Sequence, residues 1–501
     1  MDERKHFLAS PDGSNIAGTV IRRAVLCFFG AFCLLIVTQL LLHQLGGFRP
    51  MGYLFMVLYP LALGGGCFLL MKYGAGRKFA PIIVILVSLA ARLLYILLIP
   101  TEPMSDFEVL NWGAHHVALG EPEWFDVSEG YMYNWPYQIP FIFYEGAIFK
   151  IFGYNAYWAV KAANLLLMVG ANYLLYLIAR RYLSESAALG VGLVYALFPG
   201  VIMYSSVMTN QHISTFFLLL GIYFLLKSDR PRDVILAGLS LALSNLMRPE
   251  AIVVITAVVC CGLLRYVQRP TLRSLGRMAL ALAMLLACYF ALQKLVGLIL
   301  VASGYAPNGI GNNIPEWKFI VGLGNVSGYG KYTDRYAYLI ELPADERRAG
   351  LQAIIRELLD RPAGEIADFF VGKVRVFWTD PQELMWSTSM LDENSLVLPG
   401  VSLKYFCSGV QSFERGTLLL VYLLALPAPV LLWREKRRET DCGSMLVIAA
   451  LCVMMLVYLL IEVQVRYRLL AVPFWVLTAG VTLDRLSALP IFHKGDVKMS
   501  E

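Results

Sequence analysis

The chain has 501 residues, 58% of them hydrophobic and only 16% charged, with a formal net charge of +6. Soluble domains carry about 25% charged residues, so this composition excludes an ordinary soluble enzyme. Nucleic-acid binding is not indicated either, because the basic residues gather at alternate ends of apolar runs (Arg22-Arg23, Lys72 to Lys78, Arg180-Arg181, Lys227 to Arg232, Arg265 to Arg277, Arg434 to Arg438), as the positive-inside rule requires.

Apolar stretches of roughly 18 residues or more recur along the whole chain and predict an α-helical polytopic membrane protein. The polar N-terminus, Met1 to Arg23, has no convincing small-residue cleavage site after it, so the first apolar run reads as a retained span. About twelve membrane helices are expected, near 22–43, 52–71, 80–99, 156–178, 187–204, 210–227, 233–247, 250–264, 278–302, 415–433, 444–461 and 469–486, with both termini cytoplasmic. Arg248-Pro249-Glu250 interrupts the apolar run between the seventh and eighth and reads as a turn at the outer face. This organisation divides the chain into an N-terminal membrane region (1–303) with an outer loop at 101–155, a mixed extracytoplasmic loop domain (304–414) and a C-terminal membrane region (415–501).

Both long loops fall outside. Pro307 to Asp334 is rich in Gly, Asn and Tyr and is expected to be irregular; 344–359 and Ala363 to Phe377 read as helices. The nine cysteines lie mostly in or beside apolar runs and form no CxxC pair, which argues against a zinc site or disulfide scaffold. The inner connections are short and basic, with no phosphate-binding glycine motif. Chemistry is therefore expected on the outer face, driven by a substrate already activated.

Asp106, a few residues beyond the third span, is the leading candidate. Asp106 and Glu108 can converge on one divalent cation (Mg or Mn), or one can serve as a general base; the pair can equally suit the start of a helix near Phe107. Between the last two spans lies Glu462-Val463-Gln464-Val465-Arg466-Tyr467-Arg468. Two arginines at a membrane surface can hold a lipid phosphate, and Arg466 can alternatively pair with Glu462 four residues away on a helix. Arg248 invites the same phosphate reading. His212 begins a span and can line a cavity, whereas the adjacent His115 and His116 point about 100° apart and chelate poorly. Tyr131 to Tyr137 is an aromatic stretch suited to stacking on sugar, with Tyr137 a candidate contact. Interface belts give such stretches too. Asn325 opens a glycosylation sequon.

Several of these segments together resemble the GT-C glycosyltransferases: the loop acid after an early span, Asn134-Trp135-Pro136-Tyr137 running into Ile148 to Asn155, Phe198-Pro199 with Ser205-Ser206 and Thr209-Asn210, Leu246-Met247-Arg248-Pro249-Glu250, and Arg466-Tyr467-Arg468 followed by Pro473. The nearest branch is the protein O-mannosyltransferase-like group that includes the aminoarabinose transferases. The resemblance implies a GT-C-like bundle in the cell membrane. It also implies a polyprenyl-phosphate-linked sugar donor and inverting transfer to an envelope glycan, lipid or protein acceptor on the extracytoplasmic face. It casts Asp106 as the catalytic base, Glu108 as a metal or acceptor contact, and Arg466 or Arg468 as a ligand of the donor phosphate. An envelope polysaccharide polymerase or ligase, and a lipid-linked sugar flippase, are the competing classes. A flippase is expected to show repeat symmetry and broken helices near the midplane, and no repeat is apparent.

Overall fold

A computed structural model describes residues 15–44, 50–72, 78–268, 270–389, 391–435 and 438–488; the two termini, whose side of the membrane the sequence predicts, lie outside them. Every one of the twelve expected segments is helical. In chain order the principal helices are α1 (Ile16–Gln44), α2 (Pro50–Lys72), α3 (Ala80–Leu98), α4 (Asp106–Leu119), α5 (Ile139–Phe152), α6 (Ala156–Ala179), α7 (Glu185–Ala196), α8 (Gln211–Lys227), α9 (Pro231–Met247), α10 (Ala251–Gln268) and α11 (Leu272–Ala302). They continue with α12 (Trp317–Gly324), α13 (Ala344–Leu359), α14 (Ala363–Thr379), α15 (Leu403–Ala425), α16 (Arg438–Leu460) and α17 (Val472–Ser487). One two-stranded hairpin, β1 (Leu396–Leu398) with β2 (Val401–Ser402), precedes α15.

By length and composition, eight helical segments among the described residues are able to cross a membrane, or nine if one bent pair counts as a span. This is a multi-pass membrane protein, but the expected count of about twelve is not reached. The bent pair is the expected 187–204 span, broken by 52° between Glu185–Ala196 and Pro199–Ser206. Pro199 supplies the cause, since its ring removes a backbone donor and clashes with the preceding turn. The other shortfalls are α8, α9 and α17, with 17, 17 and 16 residues, where roughly 20 are needed to cross the hydrocarbon. α17 is buried along almost its whole length, so its apolar character serves the protein core rather than lipid.

The main core gathers large side chains from distant helices, among them Tyr176, Phe198, Tyr204, Trp378, Tyr422 and Trp475, all at most 2% exposed. α8 packs on α9 and α6, and α15 packs on α2 and α17. At Gly416 of α15 an added Cβ would stand 2.1 Å from the Met56 carbonyl oxygen, so only glycine permits this approach.

The segment between α11 and α15 has a second small core of Trp317, Ile320, Val321, Ile354, Leu358 and Phe369. The two helices predicted here form as α13 and α14. The stretch predicted as irregular holds α12, whose buried Trp317, Ile320 and Val321 make one apolar face. Gly322 of α12 lies against the chain at Ile461, where a Cβ would be 2.2 Å from the carbonyl carbon. Glu462 N–H then donates to the Lys318 carbonyl (2.7 Å) and Val463 N–H to the Gly330 carbonyl (2.8 Å). These backbone bonds tie the loop segment to the end of α16. α15 begins at Leu403, twelve residues before the expected span start, because its first turns are already helical above the apolar run.

Candidate active site

Asp106 is the first residue of α4, and the backbone before it is unusual. Ser105 has φ 53° and ψ −126°, a left-handed conformation that costs a non-glycine residue about 1–3 kcal/mol. Thr101, just upstream, is pinned from three sides. Its hydroxyl contacts Ser206 Oγ (3.0 Å) and donates to the Ser387 carbonyl, while Lys161 Nζ donates to its carbonyl (2.9 Å). Phe107 then packs edge-on against Trp386, with ring centroids 5.5 Å apart. The anchored loop and the sharp turn fix where the Asp106 carboxylate emerges.

It emerges at Arg466. Arg466 Nη2 donates to Asp106 Oδ2 at 2.9 Å, with the arginine side chain 6% exposed and the aspartate 41%. The Arg466 guanidinium lies 4.3 Å from the Trp386 ring and 5.3 Å from that of Phe107, and its Nε donates to Gln464 Oε1. The short turn carrying it, Val465–Leu470, is a 3-10 helix, held by Gln211 Nε2 on the Arg466 carbonyl (2.9 Å) and Gln382 Nε2 on the Val465 carbonyl (3.1 Å). Burial works against the charge of Arg466, but Tyr467 and Asp106 outweigh it and hold its pKa raised. The cation is thus permanent.

Two more cations complete the cluster. Arg248 and Lys318 each lie 5.0 Å from the Tyr467 ring centre, and Arg466 lies 5.7 Å from it. Lys318 Nζ donates to the Tyr467 hydroxyl at 2.8 Å and pairs with Glu462. Arg248 pairs with Glu250 and donates from Nη1 to Asn210 Oδ1 at 3.2 Å. Asn210 Nδ2 donates in turn to Gln138 Oε1 (2.9 Å), and Gln138 Nε2 to the Tyr131 hydroxyl (3.1 Å). Tyr137 is half-buried within electrostatic reach of Lys318, Tyr467, Arg248 and Asp106. Tyr332 is more exposed and donates to Asp334 Oδ1 (2.7 Å); that hydrogen bond, burial and the nearby carboxylates push its phenol up to about 12. One end of the bundle therefore carries three fixed cations beside a half-exposed carboxylate and several tyrosines. Such a site can bind a phosphate and accept a proton.

Other sequence candidates are not brought here. Arg468, two residues from Arg466, points into the core, where Nη2 meets Glu414 at 2.9 Å with both side chains 0% exposed. Its Nη1 donates to the carbonyls of Phe377 (3.1 Å) and Asp380 (2.6 Å). Fully buried, it presents no donor to a lipid phosphate. The Arg466–Glu462 pairing does not form either: residues 462–464 are not helical and the 3-10 turn begins only at Val465, so the α-helical spacing it required is absent, and Gln464 bridges the two side chains instead. Glu108 is exposed and stands two residues along α4 from Asp106, a spacing that sets side chains on different faces. The pair does not fit a shared cation, and among the described residues no group of three or more His, Cys, Asp or Glu side chains is placed to hold a metal. His212 is buried, with Nε2 3.1 Å from the Val207 carbonyl. His115 packs edge-on to Phe149, and His116 sits 2.7 Å from Glu121 and stacks on Trp124. Asn325 turns its side chain onto Gly328 N–H and the Lys331 carbonyl.

Lys318, Gln211, Gln382, Gln464 and Trp386 escaped the sequence reading. Gln464 acts locally, on Glu462 and Arg466 two residues to either side; the other four acquire their roles from contacts across the chain, which no local pattern marks. The Gly322 neighbourhood was the nearest signal for Lys318, and only the fold reveals it.

Residues 140–292, from α5 to α11, match the family described as dolichyl-phosphate-mannose-protein mannosyltransferase. This stretch, under a third of the chain, is similar to that glycosyltransferase family. The mannosyltransferase-like segment includes Asn210, Gln211 and Arg248, while Asp106 and Arg466 flank it. No curated protein gives a significant match. Among solved structures, the oligosaccharyltransferase AglB of Archaeoglobus fulgidus, in complex with an inhibitory peptide and a dolichol-phosphate, is 13% identical. That match covers 85% of this chain and 52% of the other, with a TM-score of 0.43. An Archaeoglobus fulgidus oligosaccharyltransferase tethered to an acceptor peptide is 11% identical over 82% of this chain and 55% of the other, with a TM-score of 0.32. This chain spans about half the length of those structures.

Proposed function

We propose that this protein transfers a sugar from a polyprenyl-phosphate carrier to an acceptor hydroxyl, on the extracytoplasmic side of the cell membrane. The observation that carries the reading is the Asp106–Arg466 pair, a carboxylate and a permanent cation 2.9 Å apart in a cluster with Arg248 and Lys318. The mannosyltransferase family match supports a lipid-phosphate-linked sugar as donor.

In the proposed reaction Asp106 takes the proton from the acceptor hydroxyl as its oxygen attacks the anomeric carbon. The new carbon–oxygen bond forms as the bond to phosphate breaks, and the lipid phosphate leaves with the electron pair. Attack from the face opposite the phosphate inverts the anomeric centre. Arg466, Arg248 and Lys318 stabilise the negative charge that develops on the phosphate, an effect that is strongest where water is excluded. Tyr137 and Tyr332 offer flat surfaces for the sugar and acceptor. Arg468 has no part in this scheme beyond holding the turn that carries Arg466.

The test is transfer by purified protein from a panel of polyprenyl-phosphate sugars, followed as release of polyprenyl phosphate. Asp106→Asn is expected to insert and fold like wild type and to lose roughly 100- to 10,000-fold in turnover, the usual contribution of a positioned base. Arg466→Met is expected to weaken donor use as well as turnover. Unchanged turnover in Asp106→Asn refutes the assignment.

A further inference from the structure

Each cation in the cluster already has a carboxylate, and the three carboxylates are not equivalent. Glu462, on Lys318, is 1% exposed, and Glu250, on Arg248, is 12% exposed. Asp106, on Arg466, is 41% exposed. Exchanging Glu462 or Glu250 for a ligand would strand a buried charge, which costs several kcal/mol. Releasing Asp106 leaves its carboxylate in contact with water, where an exposed ion pair is worth little. Arg466 itself is held in place by the Trp386 and Phe107 rings and by Gln464 at Nε, so its Nη2 edge stays presented whatever occupies it.

Building on the glycosyl-transfer reading, we propose that Asp106 is a resident stand-in for the donor phosphate. The phosphate takes the place of Asp106 on Arg466 Nη2, and this exchange frees the carboxylate to act as base. The donor's phosphodiester has two free oxygens and one negative charge, as a carboxylate has, so it can replace Asp106 on Arg466, and the charge that grows on the leaving phosphate during transfer strengthens its hold there. The exchange couples two events. Until donor binds, the Asp106 carboxylate is engaged by Arg466; once donor binds, base and leaving group are ready together. Donor therefore binds before acceptor, and an acceptor hydroxyl or water meets an active base only when there is a sugar to transfer.

The test is a double-mutant cycle on binding of farnesyl phosphate to the full-length protein in detergent, with wild type, Asp106→Asn, Arg466→Met and the double variant. In the wild-type background Asp106→Asn is expected to tighten binding about 2- to 5-fold, the scale of a partly exposed ion pair. In the Arg466→Met background the same substitution is expected to have no effect, since there is no pair to break. Initial-rate kinetics should also show donor adding first. Wild-type binding with equal affinity in Asp106→Asn overturns the exchange while leaving the glycosyl-transfer reading intact. Equal tightening in both backgrounds also overturns it, because the effect is then general charge removal. No binding by any of the four proteins overturns the functional reading and the exchange with it.

Discussion

Arg466 and Arg468 stand two residues apart, yet their substitutions should fail in opposite ways. Arg468 and Glu414 are both fully buried with a 2.9 Å contact. At an effective dielectric of about 20, unit charges roughly 4 Å apart attract by about 4 kcal/mol. Removing one partner strands the other charge, so Arg468→Met and Glu414→Leu should each cost about 3–5 kcal/mol. Arg468→Met also removes the donor to the Phe377 and Asp380 carbonyls, and Glu414→Leu the acceptor of Gln382 N–H (2.8 Å). The double variant loses all three hydrogen bonds but strands no charge, so it should be no less stable than either single variant and remain about 1–3 kcal/mol below wild type. The assay is a double-mutant cycle on thermal unfolding in detergent, with farnesyl phosphate binding measured on each folded variant. Additive destabilisation would refute a buried pair. If Arg468→Met kept wild-type stability and lost donor binding, Arg468 would be a phosphate ligand after all.

Two further predictions concern the junction between the loop segment and the bundle. Gly322→Ala places a methyl group against the Ile461 backbone, so it should break the bonds that seat Lys318 beside Glu462 and sharply reduce turnover; wild-type turnover in this variant would show that the close approach is dispensable. Lys373 is buried and donates to the Gly322 and Ile461 carbonyls (2.9 Å to the latter), and burial pulls its pKa down from 10.5 to about 7, against the pull of Glu462. Between about pH 7 and 10.5 the unfolded chain then holds a proton that the folded protein does not, so this group's contribution to stability rises with pH and is lost as pH falls towards 7, by up to about 1.4 kcal/mol per unit. Melting curves from pH 7 to 9.5 should show a steeper rise in wild type than in Lys373→Met; parallel curves would contradict the depressed pKa.

The sequence by itself determined the helical, membrane-spanning character, because a bilayer demands long apolar runs and marks their ends with basic residues. Each of the twelve segments it expected is largely helical, although they do not make twelve spans, and it singled out Asp106, Arg466 and Arg248 from charge placed where charge is costly. Which arginine of Arg466-Tyr467-Arg468 faces the site was decided by the 3-10 geometry of that turn and by Glu414, which lies more than fifty residues away in the chain. Residue spacing alone cannot register such a partner. The length test for spans failed at α8, α9 and α17 for a related reason: a helix surrounded by other helices is apolar without having to match the bilayer. Likewise Glu108 matched the motif but sits on another face of α4, while Lys318 matched nothing and reaches the site because Gly322 lets two backbones touch. Pattern supplied the candidates. The tertiary structure chose among them by bringing together charges that are far apart in the chain, where burial makes each pairing count.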